Sequence, residues 1–331
     1  MSSSIRVFST CPQWSALEQE RYLAEVTDVA HWSDDLGFEG ILIYTDNSQL
    51  DPWLIAQFIL QNTKSLCPLV AIQPAYMHPY AVAKMIASLG HLYNRRIYLN
   101  MVAGGFKNDL LALNDTTPHD RRYRRVIEYA TIIKELLSGE SPVTYEGEFY
   151  KVHRLKMTPP LPLNLFPGIL MSGSSDAGLA AAETIGATAI QYPRPVEEYE
   201  HDAAKRIEDF GIRVGIITRP NADDAWRAAR ERFPEDRRGQ ITHQLAMKVS
   251  DSEWHRQLSE MGSGSGDNPY WLRPFLNYKT FCPYLVGSYA SVAGELAKYM
   301  KTGARSFIMD IPPSEEELHH TQAAFQLAQR P

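Results

Sequence analysis

Residues Leu69–Val102 read LVAIQPAYMHPYAVAKMIASLGHLYNRRIYLNMV, and this stretch decides the fold. Leu69 to Gln73 is a short apolar run closed by Pro74, the length of a strand buried on both faces. From Tyr80 to Leu92 the apolar residues Val82, Met85, Leu89 and Leu92 return at three- and four-residue spacing, which predicts a helix laying that face on a sheet. Ile97 to Val102 is apolar again. Strand, helix and strand within roughly thirty residues make a βα crossover, the connection that parallel strands require.

The same alternation extends in both directions. Strands are expected at Ile5–Ser9, Gly40–Tyr44, Leu69–Gln73, Ile97–Val102, Gly168–Met171, Ala187–Gln191, Ile212–Thr218 and Arg305–Asp310. A further helix is expected over Arg122–Leu137, with Val126, Ile127, Ala130, Ile133 and Leu137 as its apolar stripe and Asp120 as its N-cap. Eight such units point to an α/β protein, a single-domain (β/α)8 TIM barrel over residues 1–331, although an open doubly wound sheet shares the local pattern. Two segments break the rhythm. Residues 140–167 read as an insertion before the fifth strand: a small hairpin over Val143–Val152 turning at Glu146-Gly147, then a Pro-rich extended run from Thr158 to Pro167. Residues 261–287 read as a flexible lid after the seventh strand, because Gly262-Ser-Gly-Ser-Gly-Asp267 is linker-like and leads into Tyr270, Trp271, Phe275, Tyr278, Phe281 and Tyr284.

Composition removes several function classes. The 33 Lys and Arg residues against 39 Asp and Glu give a net charge of -6, which opposes a nucleic-acid backbone or an anionic lipid surface. Cys11, Cys67 and Cys282 are scattered without metal-ligand spacing, so neither a disulfide framework nor a metal site is expected. No apolar run reaches the length of a signal peptide or a membrane span, and a cytoplasmic location is expected.

The strongest chemical motif is Met171-Ser-Gly173-Ser174-Ser175-Asp176-Ala-Gly178, where a strand ends in small residues and a helix begins. Backbone N–H groups at a helix start, joined by two hydroxyls, suit a phosphate dianion, and a glycine lets the anion approach the backbone. A serine N-cap without ligand gives the same pattern. A serine hydrolase built on Ser175, with Asp310 and His319 or His320 downstream, is a competitor that lacks the final glycine of a nucleophile elbow. Asn100 ends the fourth strand before Gly104 and Gly105, where its amide can read the polar edge of a heteroaromatic ring. In Thr117–Arg125 the four arginines spread around a helix as a solvated face, with Tyr123 turned inward. His78, after the third strand, is the histidine best placed for proton transfer, or else for a bond to loop backbone. No P-loop, GxGxxG or HExxH pattern occurs.

Taken in order, Thr45-Asp-Asn-Ser48 with Asp51-Pro-Trp53, Asn100-Met-Val-Ala-Gly104, Arg122-Tyr123, Tyr145-Glu-Gly147-Glu148-Phe-Tyr-Lys-Val152, Ser172-Gly-Ser-Ser175-Asp and Asp223-Asp-Ala-Trp226 resemble the bacterial luciferase-like flavin-dependent monooxygenase superfamily, in the branch that includes alkanesulfonate monooxygenase. The resemblance covers most of the chain. It implies FMN with its phosphate near Gly173, Ser174, Ser175 and Tyr123, and its ring near Asn100, Thr45, Gln73 and Ala103. It also implies reduced flavin from a separate NAD(P)H-dependent reductase, reaction with O2 through a flavin C4a-peroxide, a small organic substrate, and assembly as a homodimer or homotetramer. His78 is the candidate for protonating the peroxide or orienting the substrate. The seventh strand lacks the Arg-x-His signature of sulfonate binding, which sets a sulfonate substrate aside and keeps the flavin chemistry. A deazaflavin-dependent hydride-transfer enzyme and a non-catalytic flavin-binding subunit are the alternatives on the same scaffold.

Overall fold

The computed structural model describes residues 4–14, 19–104, 107–139, 141–201, 209–249, 258–259 and 268–330. Its strands are β1 (Arg6–Thr10), β2 (Gly40–Ile43), β3 (Cys67–Ile72), β4 (Tyr98–Val102), β5 (Val143–Glu146), β6 (Lys151–Leu155), β7 (Ile169–Ser172), β8 (Thr188–Gln191), β9 (Phe210–Arg219), β10 (Tyr270–Trp271), β11 (Tyr284–Ser288) and β12 (Ala304–Met309). The parallel strands β1, β2, β3, β4, β7, β8, β9 and β12 follow one another, with helices between, as a (β/α)8 barrel. All eight coincide with the strands expected from the sequence. Packing groups the chain into two compact units, residues 11–189 and residues 1–10 with 190–331.

In the unit 11–189, β2 pairs with β3 from Gly40↔Cys67 to Ile43↔Val70, β3 with β4 through Ala71↔Asn100, and β4 with β7 through Val102↔Ser172. The outer helices include α1 (Gln19–Asp35), α2 (Pro52–Asn62), α3 (Pro79–Tyr93), α4 (Lys107–Ala112), α5 (His119–Ser138) and α6 (Asp176–Ile185). Helix α3 forms where expected but buries a different stripe. Val82, Ala83, Ile86, Ala87, Leu89 and Gly90 face inward, whereas Met85 and Leu92 are exposed. Small residues permit this close approach, since a Cβ on Gly90 would lie 2.8 Å from a Leu161 methyl.

Helix α5 corrects another expectation. It starts at His119 behind Pro118, with no side-chain cap, and Asp120 lies in its first turn, where a carboxylate meets the positive end of the helix dipole. Its arginines are not a uniform solvated face: Arg122 is buried, and Arg125 pairs with Asp115. The expected hairpin is β5–β6, antiparallel, with Glu146 opposite Lys151. Glu128 of α5 holds its turn by accepting hydrogen bonds from the backbone N–H groups of Glu148, Phe149 and Tyr150 at 2.8, 2.9 and 3.1 Å. Residue 147 must be glycine there, because a Cβ would collide with the Glu128 carboxylate.

In the other unit β9 is long enough to pair with β12 and β11 as well as with β8. Its first half pairs with β12, through Ile212↔Phe307 and Val214↔Met309, and its second half with β11, from Gly215↔Tyr284 to Arg219↔Ser288. β10 adds to β11 antiparallel. The aromatic half of the segment 261–287, expected as a flap, is therefore packed core: Tyr270, Trp271 and Phe275 are buried, and Trp271 meets Trp226 edge-on at 5.7 Å. The glycine-rich half, 262–267, lies outside the described residues. The ring of Tyr284 fills the space that a side chain at Gly215 would need, and its hydroxyl donates to Asp310 at 2.7 Å. The same strand carries a buried arginine, Arg213, to which the sequence reading gave no role.

Candidate functional site

Within residues 11–189 the adjacent strands β2, β3, β4 and β7 bring their carboxyl ends side by side, the edge on which (β/α)8 barrels assemble their sites. Thr45 lies just beyond β2, Gln73 just beyond β3, Asn100 within β4 with Ala103 following, and Gly173-Ser174-Ser175 just beyond β7. Asn100 is 5% exposed, and its Oδ1 accepts from Ser172 Oγ at 2.9 Å, tying the ends of β4 and β7 together. Ala103 is buried. The next residue, Gly104, has φ +108°, a backbone state that side chains rarely adopt, and a Cβ there would meet Leu110 at 2.9 Å and Gln73 Oε1 at 3.4 Å.

The turn after β7 forms a cradle. Tyr123 is carried on the buried face of α5, its ring edge-on to His119 at 5.1 Å. Its hydroxyl lies 2.8 Å from where a Cβ of Gly173 would be and 3.2 Å from that of Gly178. Ser175 is the N-cap of α6, with Oγ accepting from Gly178 N at 3.2 Å, while Gly186 closes the helix in the left-handed conformation. Ser174 Oγ is buried and has no hydrogen-bond partner among the described residues. A hydroxyl left in that state costs stability unless a ligand accepts a hydrogen bond from it. Unsatisfied N–H groups at the start of α6, a glycine that leaves the backbone open, a tyrosine beside it and an orphaned serine hydroxyl together suit a phosphate group. The capping reading thus holds for Ser175, and the anion reading finds its support in Ser174.

A cleft of about 280 Å³ opens at the ends of β2 and β3, lined among others by Thr45, Asp46, Trp53, Gln73, Tyr76 and Met77. Gln73 is 5% exposed, and what it exposes lines this cleft. Tyr76 donates to Asn47 Oδ1 at 2.8 Å, and Asn47 in turn binds Asp109 of α4 through its backbone N–H and its amide, both at 3.2 Å. Burial first, then the negative charges of Asp109 and Asp46, push the Tyr76 phenol up to about 12. Asn47 and Tyr76 received no role from the sequence. Asn47 belongs to the Thr45–Ser48 motif, whose polar turn residues were the only signal available.

His78 lies elsewhere. It is exposed, absent from the cleft lining, and caps α3, with Nδ1 accepting from Tyr80 N at 3.2 Å. The loop-backbone reading describes it. Because asparagine is a stronger N-cap than histidine, His78→Asn is expected to keep both thermal stability and turnover. A fall in kcat of more than about tenfold, the scale on which a lost proton donor acts, would restore it to the chemistry. The hydrolase reading loses its parts too: Ser175 Oγ serves the helix cap, Asp310 accepts from Tyr284, and His320 Nδ1 pairs with Tyr289 Oη at 2.6 Å. Among the described residues no His, Cys, Asp and Glu side chains group as a metal site, and no helix is long and apolar enough to cross a membrane.

Comparison with known proteins bears on the family and the fold. The sequence profile of the luciferase-like monooxygenases matches residues 4–306. The monooxygenase BtrO of Niallia circulans, named for action on 4-(gamma-L-glutamylamino)butanoyl-[BtrI acyl-carrier protein], is 34% identical over 310 residues, 91% of this chain and 90% of BtrO. The structure of EDTA monooxygenase EmoA from Chelativorans sp. BNC1 superposes with a TM-score of 0.76 at 16% identity, over 98% of this chain and 93% of EmoA. An F420-dependent secondary alcohol dehydrogenase shares the fold with a TM-score of 0.68 at 14% identity, over the whole of both chains. With its barrel, its strand-end cradle and a family match over most of its length, the chain belongs to the luciferase-like monooxygenases and is an oxidoreductase of that family.

Proposed function

We propose that the chain is an FMN-dependent monooxygenase of the two-component kind, acting on a small organic substrate. The observation that carries this reading is the buried, unpartnered Ser174 hydroxyl beside Gly173 and Tyr123 at the start of α6. A flavin with a phosphate tail fits that donor set: Ser174 Oγ and the α6 N–H groups hold the dianion, and Tyr123 closes its side. Asn100, Thr45 and Gln73 then present amide and hydroxyl groups to the polar edge of the ring, and Ala103 adds a small apolar contact. Bound reduced FMN, supplied by an NAD(P)H-dependent reductase, provides the electrons with which O2 gives one oxygen atom to the substrate and the other to water. Burial of Gln73 and Asn100 keeps water from competing for those ring contacts.

Stopped-flow mixing of the protein with reduced FMN and O2 tests the reading. Reoxidation of the flavin is expected to slow relative to free FMN, and to return to the free rate when Gly173 is replaced by alanine. Free-solution kinetics with the wild type would sink the proposal. Anaerobic hydride transfer from reduced deazaflavin F420, with no response to FMN, would point to the dehydrogenase alternative. FMN binding without oxygen-dependent turnover across a substrate panel would point to a non-catalytic subunit. A substrate presented on a carrier protein, the form in BtrO's name, is tested by comparing carrier-bound with free acyl groups.

A further inference from the structure

Asn100 and Ser172 share one face of two neighbouring strands. The register of β4 on β7 sets Asn100 beside Leu170 and Val102 beside Ser172, so Ser172 lies one step further along that face, diagonal to Asn100. On the other side β3 sets Ala71 beside Asn100. Both direct cross-strand neighbours of this buried amide are therefore apolar, and a polar group in such a place needs a partner. Ser172 Oγ is that partner, donating to Asn100 Oδ1 at 2.9 Å.

An asparagine amide is ambivalent. Half a turn of its terminal bond exchanges an oxygen that only accepts for a nitrogen that only donates, at little intrinsic cost. The polar edge of a flavin is ambivalent as well, because an N–H that donates lies between carbonyl oxygens that accept. With a freely turning amide either pairing forms, and the loss of side-chain freedom weighs on binding. With Oδ1 held by the Ser172 hydroxyl, Nδ2 is the end of the amide that Asn100 has left to offer, and it donates. The serine thus fixes the sign of the contact before a ligand arrives.

We infer that Ser172 is a positioning residue for the flavin ring: it holds the Asn100 amide as a hydrogen-bond donor, which makes the site bind reduced FMN more tightly than oxidised FMN. This role rests on the flavin reading. Reduction adds electron density to the carbonyl oxygens and ring nitrogens of the polar edge, and a donor placed there gains from it while an acceptor loses. Tighter binding of the reduced form raises the midpoint potential of the bound couple, by about 30 mV for each tenfold ratio of affinities in a two-electron change. A site that must capture reduced flavin released by a reductase is served by that ratio.

The test measures the midpoint potential of protein-bound FMN by anaerobic titration against a reference dye, and the affinity for oxidised FMN by fluorescence. The proteins compared are the wild type, Ser172→Ala, Ser172→Thr and Asn100→Asp. Ser172→Ala frees the amide to turn, and its potential should fall by about 30 mV, an about tenfold loss of preference for reduced FMN, while oxidised FMN binds within about threefold of the wild type. Ser172→Thr keeps the hydroxyl and should restore the potential. A serine that merely tied two strands together would move stability and leave the potential alone. Asn100→Asp can still accept from Ser172 but meets the ring with a carboxylate oxygen, so oxidised FMN should bind at least about tenfold more weakly.

An unchanged potential in Ser172→Ala, a potential that Ser172→Thr does not restore, or oxidised FMN held by Asn100→Asp as tightly as by the wild type would overturn this role and leave the flavin reading standing. If Ser172→Ala does not fold, the affinity of Asn100→Asp decides alone. Wild-type protein that binds no FMN would overturn both.

Discussion

Ser174→Ala is expected to bind FMN about ten- to a hundredfold more weakly than the wild type, the loss of one hydrogen bond to a charged group at roughly 1.5–3 kcal/mol. The free protein should not suffer, because Ser174 Oγ has no partner among the described residues to lose and its removal relieves a buried unsatisfied hydroxyl. Weaker ligand binding with equal or higher thermal stability is a combination that a structural serine does not produce. Gly173→Ala should act by a different route and at least as strongly. Its new Cβ would lie 2.8 Å from the Tyr123 hydroxyl, so either the tyrosine moves or the cradle is filled. Ser175→Ala is the contrast, since it removes the cap of α6 and should lower stability by about 1 kcal/mol. Fluorescence titration with FMN beside thermal melts separates the three. An unchanged FMN affinity in Ser174→Ala would place the phosphate elsewhere.

Asp115→Asn should destabilise the protein by about 3 kcal/mol at neutral pH, and the loss should fade in acid. Asp115 and Arg125 form a 2.6 Å pair with side chains 11% and 12% exposed. Asparagine keeps an acceptor for Thr117 N, which donates to Asp115 Oδ1 at 3.0 Å, but leaves the Arg125 guanidinium buried without a counter-charge. Burial by itself would raise the Asp115 carboxyl, and the hydrogen bonds from Thr117 and Arg125 with the arginine's charge outweigh it, holding the group below its ordinary range. A depressed folded-state value means that the stabilisation is complete above the unfolded value of about 3.9 and is lost as pH falls through the folded one. The gap in urea midpoint between wild type and variant should therefore be constant above about pH 5 and close below about pH 4. Asp34 shifts in the same direction. Burial opposes its shift, and bonds from Ser65, Lys64 and Leu66 prevail, but it titrates in both proteins and cancels from the difference. A gap independent of pH would show that the pair contributes no charge interaction. Because α5 also carries Tyr123, FMN affinity should fall with the same variant.

The eight barrel strands were readable because each is a run of apolar residues bounded by turn formers, a local signal that burial on both faces enforces. The hairpin read over Val143–Val152, whose second strand runs on to Leu155, was legible from its alternation about Glu146-Gly147. Which face α3 buries was not, since Met85 and Leu92 satisfy the helical period as well as Ala83 and Gly90 do, and only the closeness of Leu161 favours small residues. Trp271, Phe275 and Tyr284 looked like a flap because they follow a linker. They are core because β9 is long enough to offer β11 a second pairing edge, which no local window reveals.

Sequence alone determined the βα alternation, the family and the Gly173-Ser174-Ser175 turn, all of which rest on interactions between near neighbours in the chain. It did not determine which serine caps the helix and which is left for a ligand, or that His78 turns into a cap. Those depend on where hydrogen-bond partners from distant segments arrive. Tertiary packing decides such matters, because every buried donor and acceptor must be satisfied by whatever the fold brings near it, and a side chain that finds nothing is free for function.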